Sequence, residues 1–231
     1  NTISNDCHSN KKYDYMLSNP PFGLDWKKVK KEVTIEHHSK GFAGRFGPGL
    51  PRISDGSFLF LMHLISKMRE AGKGGSRFGI ILNGSPMFIG GAGSGESNIR
   101  RYIFENDLIE AIIQLPHNLF YNTGISTYIW IVTNKKTDQR KGKVQLIDTS
   151  SYATKLATSL GNKRYKLSPT NISMITSVYK SFVEKKYQGK FISRILKNED
   201  FGYRSITIDQ PLRDMNGQVI TFTKGKKKGS P

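Results

Sequence analysis

Residues 13–23 read Tyr-Asp-Tyr-Met-Leu-Ser-Asn-Pro-Pro-Phe-Gly, and the reading of the rest of the chain depends on how this string folds. Tyr13 to Ser18 predicts a short buried strand that runs into a rigid turn at Asn19-Pro20-Pro21-Phe22-Gly23. Two consecutive prolines restrict φ and remove two backbone donors. Carbonyl oxygens and the Asn19 amide can then face a polar ligand together. Such a turn can accept hydrogen bonds from an exocyclic amine while Phe22 stacks on a planar ring. The carboxyl end of a strand is also where open α/β sheets place ligands. A stiff loop with a capping Asn and a core Phe would use the same four residues, so the string alone leaves both readings open.

Outward from this turn the pattern alternates between strand and helix. Residues 24–56 carry Gly41, Gly44, Gly47, Gly49 and Gly56 with Pro48 and Pro51, and they read as a long flexible connection. Connections of this length in compact domains are often functional lids or binding loops. From Ser57 to about Ala71, Phe58, Leu61, Met62, Ile65 and Met68 recur at helical spacing, with Gly72 as a stop. Arg77–Leu82 predicts a strand, Ile99, Ile103 and Phe104 a helix, and Leu108–Leu115, Ser126–Thr133 and Lys143–Asp148 three further strands. Near-continuous apolar strands favour a mostly parallel sheet covered on both faces, with antiparallel partners among the last strands. Tyr128 and Trp130 are expected inside that sheet.

After Thr149 the sequence turns polar and basic. It predicts one amphipathic helix within 171–187, a strand at Tyr203–Ile208 and a solvated basic tail from Lys224. Two units are expected: 1–150, and an extension over 151–231.

Across 231 residues, 36 Lys+Arg against 18 Asp+Glu give a formal charge of +18, which favours a polyanionic partner. The single cysteine, Cys7, excludes an internal disulfide and a multi-cysteine zinc site. Adjacent His37 and His38 are poorly placed to share one ion, and no metal is assigned. No apolar run reaches the ~20 residues of a membrane helix. A soluble, cytoplasmic protein without a membrane partner is the expectation.

The run Tyr13–Gly23, the Gly/Pro/Arg-rich connection and Ser54-Asp55-Gly56-Ser57-Phe58-Leu59-Phe60-Leu61 together resemble the N6-adenine DNA methyltransferases. The likeness is specifically to the modification (M) subunit of type I restriction-modification systems. It continues through Gly79–Ser85, Ile109–Pro116, Leu119–Ile125 and Trp130–Lys135, and covers residues 1–150 well.

The resemblance implies that Asn19, Pro20, Pro21 and Phe22 are the catalytic motif. Asn19 and the Pro20 carbonyl would hold the amino group of the target adenine, and Phe22 would stack on the extruded base. The methyl donor would be S-adenosylmethionine, with Asp6 and Asn19 as cofactor residues. Lys27, Lys28, Arg45 and Arg52 would contact phosphates around the extruded adenine, and Phe120 or Tyr121 would flank it. DNA, a specificity subunit and a restriction subunit are the implied partners. Chemically, acceptors that hold the NH₂ group out of conjugation direct its lone pair at the methyl carbon, so Cys7 need not act as a nucleophile.

In the family a glycine-rich cofactor loop precedes this motif, and 18 residues before Asn19 leave no room for it. The glycine-rich stretch Gly90–Gly95 lies in the wrong order and is weak evidence for a phosphate cradle. The implied fold is α/β: a partial S-adenosylmethionine-dependent methyltransferase fold, a Rossmann-like sheet lacking its first strands, with a helical C-terminal extension. A fragment of this kind is expected to be inactive alone and not to bind the cofactor. A complementing N-terminal half or self-association would cover its open edge. A non-catalytic nucleic-acid-binding or assembly module, and an N-methyltransferase acting on RNA or a protein amide, are the alternative readings.

Overall fold

The computed structural model describes residues 1–231 except 122, 188, 222, 225–228, 230 and 231, so most of the expected basic tail lies outside the described residues. Strands β1 (Tyr15–Ser18), β2 (Arg77–Asn83), β3 (Ile109–Gln114), β4 (Thr127–Thr133) and β5 (Lys143–Asp148) form one sheet with β8 (Lys185–Tyr187) and β9 (Lys190–Lys197). Its order is β1-β2-β4-β3-β5-β9-β8, while β6 (Thr154–Leu160) and β7 (Lys163–Lys166) pair as a separate ribbon. The helices are α1 (Lys30–Lys40), α2 (Ser57–Ser66), α3 (Ser85–Phe88), α4 (Gly95–Glu105) and α5 (Pro169–Ser181).

The sheet is mixed rather than mostly parallel. Among the described strands β1–β2 and β3–β5 are parallel, and the other neighbouring pairs are antiparallel. Apolar runs report burial on both faces, not strand direction, which explains the difference. On one face Phe78, Ile80 and Leu82 of β2 are fully buried against Phe58, Leu61 and Met62 of α2, joined by Ile99 and Ile103 of α4. On the other, Ile175 and Val178 of α5 cover Ile113 and Ile147. Trp130 is buried as expected, its ring 6.4 Å from that of Phe58.

β1 departs from the buried strand anticipated at this position. It lies at the sheet edge, and Tyr15 and Leu17 on one of its faces are 78% and 92% exposed, while Met16 packs into the core.

The extension carries a helix, as anticipated, together with strands that the sequence reading did not anticipate. α5 starts with a capping box in which Asn171 N donates to Ser168 Oγ (3.1 Å) and Ser168 N donates to Asn171 Oδ1 (3.0 Å), with Pro169 at its first position. β9 continues the main sheet by pairing with β5, and no strand forms at 203–208.

Candidate functional site

The pairing Tyr15↔Arg77 through Ser18↔Ile80 brings Asn19 out at the carboxyl end of β1, beside the carboxyl end of β2. Pro20 is buried there and Phe22 half-buried, whereas Asn19 and Pro21 are exposed. Gly23, at φ +62°, turns the chain away from the sheet in a conformation that favours glycine. The segment that follows is pinned at two levels. Trp26 N donates to Ile53 O (3.0 Å) and Gly56 N to Leu24 O (2.9 Å), while the Trp26 indole N–H donates to Arg52 O (2.9 Å). With Trp26 and Val29 buried, Lys27 and Lys28 are left exposed between them.

The structure joins two predicted elements of the site directly. The Phe22 ring meets the Phe120 ring edge-on, with centroids 5.6 Å apart and planes at 78°. Tyr121, next in the chain, is 57% exposed and has the Lys163 ammonium 4.7 Å over its ring. Arg52 shares the rim formed by the strand ends. Its guanidinium is 3.5 Å from Ser85 Oγ and 3.8 Å from the Asp55 carboxylate, and it remains 42% exposed. A large groove of about 1600 Å³, which includes Trp130, Leu146 and Phe201 in its walls, contains neither Asn19 nor Phe22.

Two predicted residues lie elsewhere. Arg45 is turned inward, where it donates to both Glu36 carboxylate oxygens (2.6–3.1 Å), to Thr2 O and Ile3 O (2.9 Å each) and to His63 Nδ1 (3.2 Å). It ties the N-terminal segment to α1 and α2 rather than presenting a cation to solvent. Asp6 forms an ion pair with the buried Lys67, whose ammonium also donates to His8 O (2.7 Å). Tyr13 N donates to Lys67 O (3.0 Å), so this pair sits at the amino end of β1. Asn19 sits at the other end of a strand about 13 Å long at ~3.3 Å per residue. Burial acts to raise the Asp6 carboxyl, but hydrogen bonds from Lys67 and the His8 amide outweigh it and hold the group below its ordinary value.

Within the glycine-rich stretch, Gly90 and Gly95 are accounted for by packing. A Cβ on Gly95 would lie 1.7 Å from Leu50 O, and Ser94 Oγ caps α4 by accepting from Ser97 N (3.2 Å). The Gly90 carbonyl accepts from Arg100 (2.6 Å).

Sequence reasoning missed the β6–β7 ribbon, which bears on the site through Lys163. The signal was present in Gly161-Asn162 between two short runs, a common hairpin turn.

Comparison with known proteins decides the family. The model for "N-6 DNA Methylase" matches residues 1–203. This chain is 32% identical over 171 residues, 73% of its length, to the type I restriction enzyme MjaVII methylase subunit of Methanocaldococcus jannaschii, of which it covers 27%. The chain belongs to the N6-adenine DNA methyltransferases. Within that family it groups with the modification subunits of type I restriction-modification systems. The MjaIX methylase subunit of the same organism is 27% identical over 90% of this chain and 34% of its own length. The methyltransferase subunit of a type I system from Streptococcus thermophilus superposes with a TM-score of 0.67 at 25% identity, over 87% of this chain and 38% of that one. The chain therefore spans about a third of the length of the curated relatives it matches. Its sheet and helices are those of a partial Rossmann-like methyltransferase fold. No helix among the described residues is long and apolar enough to cross a membrane.

The family is one of S-adenosylmethionine-dependent methyltransferases, and the two residues expected at the cofactor stand apart in this chain. Asp6 has its carboxylate on Lys67 at one end of β1, and Asn19 stands at the other.

Proposed function

We propose that this chain supplies the target-base side of a site-specific DNA methyltransferase acting on N6 of adenine in a type I restriction-modification system. The observation that carries the reading is the exposed Asn19 at the carboxyl end of β1, followed by buried Pro20 and by Phe22 braced edge-on against Phe120. With both prolines lacking N–H groups, the turn offers the Asn19 side-chain oxygen and the Pro20 carbonyl as acceptors for the two protons of an exocyclic amine. Held in this way, the amine has its lone pair turned out of conjugation with the ring. Phe22 offers a face for the ring to stack on, and Phe120 limits its tilt.

Lys27, Lys28 and Arg52 are the phosphate contacts of this reading, with Tyr121 beside the base. Arg45 is a structural residue, and Asp6 is left to the N-terminal packing. S-adenosylmethionine as methyl donor belongs to the longer protein of this family, as do a specificity subunit, a restriction subunit and a cytoplasmic location with the DNA. An N-terminal half that supplies the donor site, or a second copy that covers the β1 edge, completes the reading for this chain.

The test is equilibrium binding of the 231-residue chain to labelled duplexes that carry one unpaired adenine or one unpaired cytosine. Several-fold tighter binding to the adenine duplex is expected. Asn19→Ala and Phe22→Ala should abolish that preference and leave the salt-dependent background binding intact. Equal affinity for both duplexes, unmoved by either substitution, would overturn the assignment. A non-catalytic nucleic-acid-binding module would give that outcome.

A further inference from the structure

We propose that the β6–β7 hairpin is a DNA-backbone contact that flanks the target-base site; this deepens the adenine reading and rests on it. The hairpin does not join the main sheet, and a lone two-stranded ribbon is marginal in water. It is latched to the loop that carries Phe120. Arg164 N and Tyr165 N both donate to Asn118 O (2.9 and 3.3 Å), Asn118 Nδ2 donates to Asn162 O (3.0 Å), and Asn162 N donates to Tyr121 O (3.0 Å). Asn118 makes these bonds from the left-handed region, at φ +54°, a conformation that costs energy and is retained where the surroundings fix it. A chain of contacts therefore runs from the hairpin turn through Phe120 to Phe22, beside the exposed Asn19.

The charge of the ribbon points to its partner. Residues 154–166 include Lys155, Lys163, Arg164 and Lys166 and contain no Asp or Glu. Lys155, Arg164 and Lys166 are exposed, and none has a carboxylate at ion-pair distance among the described residues. Arg164 and Lys166 stand on one face of β7, about 7 Å apart by the pleat, which is comparable with the spacing of successive phosphates on one strand. A ribbon whose exposed Lys155, Arg164 and Lys166 have no carboxylate partner among the described residues, fixed by its backbone beside the proposed base site, matches the duplex that continues on from that base.

The experiment measures log K against log salt from about 50 to 200 mM for the 231-residue chain on a labelled duplex with one unpaired adenine. The hairpin variant is Lys155→Gln/Arg164→Gln/Lys166→Gln, with Lys163 kept so that its contact with Tyr121 survives. The control, Lys11→Gln/Lys73→Gln/Lys180→Gln, removes equal charge from exposed positions elsewhere. The hairpin variant should lose about two to three from the magnitude of the slope, and the control less than about one. Equal losses in the two variants, or none in the hairpin variant, would overturn the proposal. So would a larger hairpin-dependent loss on duplex RNA than on duplex DNA. Preference for adenine over cytosine is read by repeating the titrations on the duplex with one unpaired cytosine: if the parent chain lacks it, the adenine reading fails, while the slopes still decide the hairpin.

Discussion

Arg45 joins three parts of the molecule through one guanidinium. Its bidentate pair with Glu36 holds α1, its bonds to Thr2 O and Ile3 O hold the N-terminal segment, and its contact with His63 holds α2. Its side chain is 12% exposed and that of Glu36 15%, so removing either partner leaves a largely desolvated charge behind. Arg45→Ala should lower the unfolding free energy by about 3 kcal/mol in urea titrations, and Arg45→Lys should recover only part of this because it lacks the planar fork. Lys28→Gln, at an exposed position, should stay within about 0.5 kcal/mol of the parent. The same cluster sets a pH dependence. Burial, and then the Arg45 charge, push His63 below its ordinary 6.5. Below that pH the unfolded chain takes up a proton that the folded chain refuses, so stability falls as pH drops through 6.5 towards the folded value. His63→Gln should flatten the dependence in this window. Glu36 and Asp6 are both held below their ordinary values of 4.5 and 3.8, so their contribution persists to lower pH and is lost as pH falls through the folded values. Urea midpoints measured across both windows, with and without His63, check the assignment.

At the scale of the element, α4 is placed by the absence of a side chain. The backbone of Leu50 comes so close to Gly95 that a methyl group there would overlap its carbonyl, whereas Gly91 has open space around it. Gly95→Ala should therefore cost about 1–3 kcal/mol and lower the melting temperature by several degrees, while Gly91→Ala should be near neutral. Differential scanning calorimetry of the two variants separates a packing role from a general glycine effect. Contacts of this kind also explain which elements were legible in the sequence. β2, β3, β4 and β5 were found within a residue or two because both of their faces are buried and their apolar runs are dense. The turn at Asn19–Phe22 was legible because two prolines admit few conformations. α1 reads as a loop in the sequence because it buries only Val33 and has no apolar stripe. β9 was missed because its buried Ser193 faces a polar partner: Gln145 Nε2 donates to Ser193 Oγ (3.0 Å), where alternation would predict an apolar residue. The inward turn of Arg45 was not legible either, since a basic residue in a glycine-rich segment reads as solvated until Glu36 is placed beside it.

At the scale of the whole molecule, the segment beyond residue 150 bears on the stability of the sheet that carries the site. β9 pairs with β5 from Lys143↔Lys197 to Ile147↔Ser193, which protects what would otherwise be an open edge. Behind that pairing lies a buried ionic cluster. Glu110 accepts from Arg77 (2.9 Å) and lies 3.4 Å from Arg140, whose guanidinium is held between the rings of Tyr179 and Phe182 at 4.6 and 4.2 Å. Burial and the neighbouring Glu110 charge push the Tyr179 phenol up to about 12, so it stays protonated and able to donate across the physiological range. Ending the chain at residue 150 would remove α5 and β9, expose Ile113 and Ile147, and strip the aromatic cover from Arg140 while Glu110 remains in the sheet. Residues 1–203 keep every one of these contacts and coincide with the span matched by the family model. We therefore expect 1–203 to unfold cooperatively, with a midpoint close to that of the full chain, and 1–150 to be aggregated or without a cooperative transition. Circular dichroism melts of the two truncations decide the point. A cooperative melt of 1–150 near the full-chain midpoint would mean that the β5 edge and the Glu110–Arg140 pair tolerate solvent, and that the extension serves the DNA side alone.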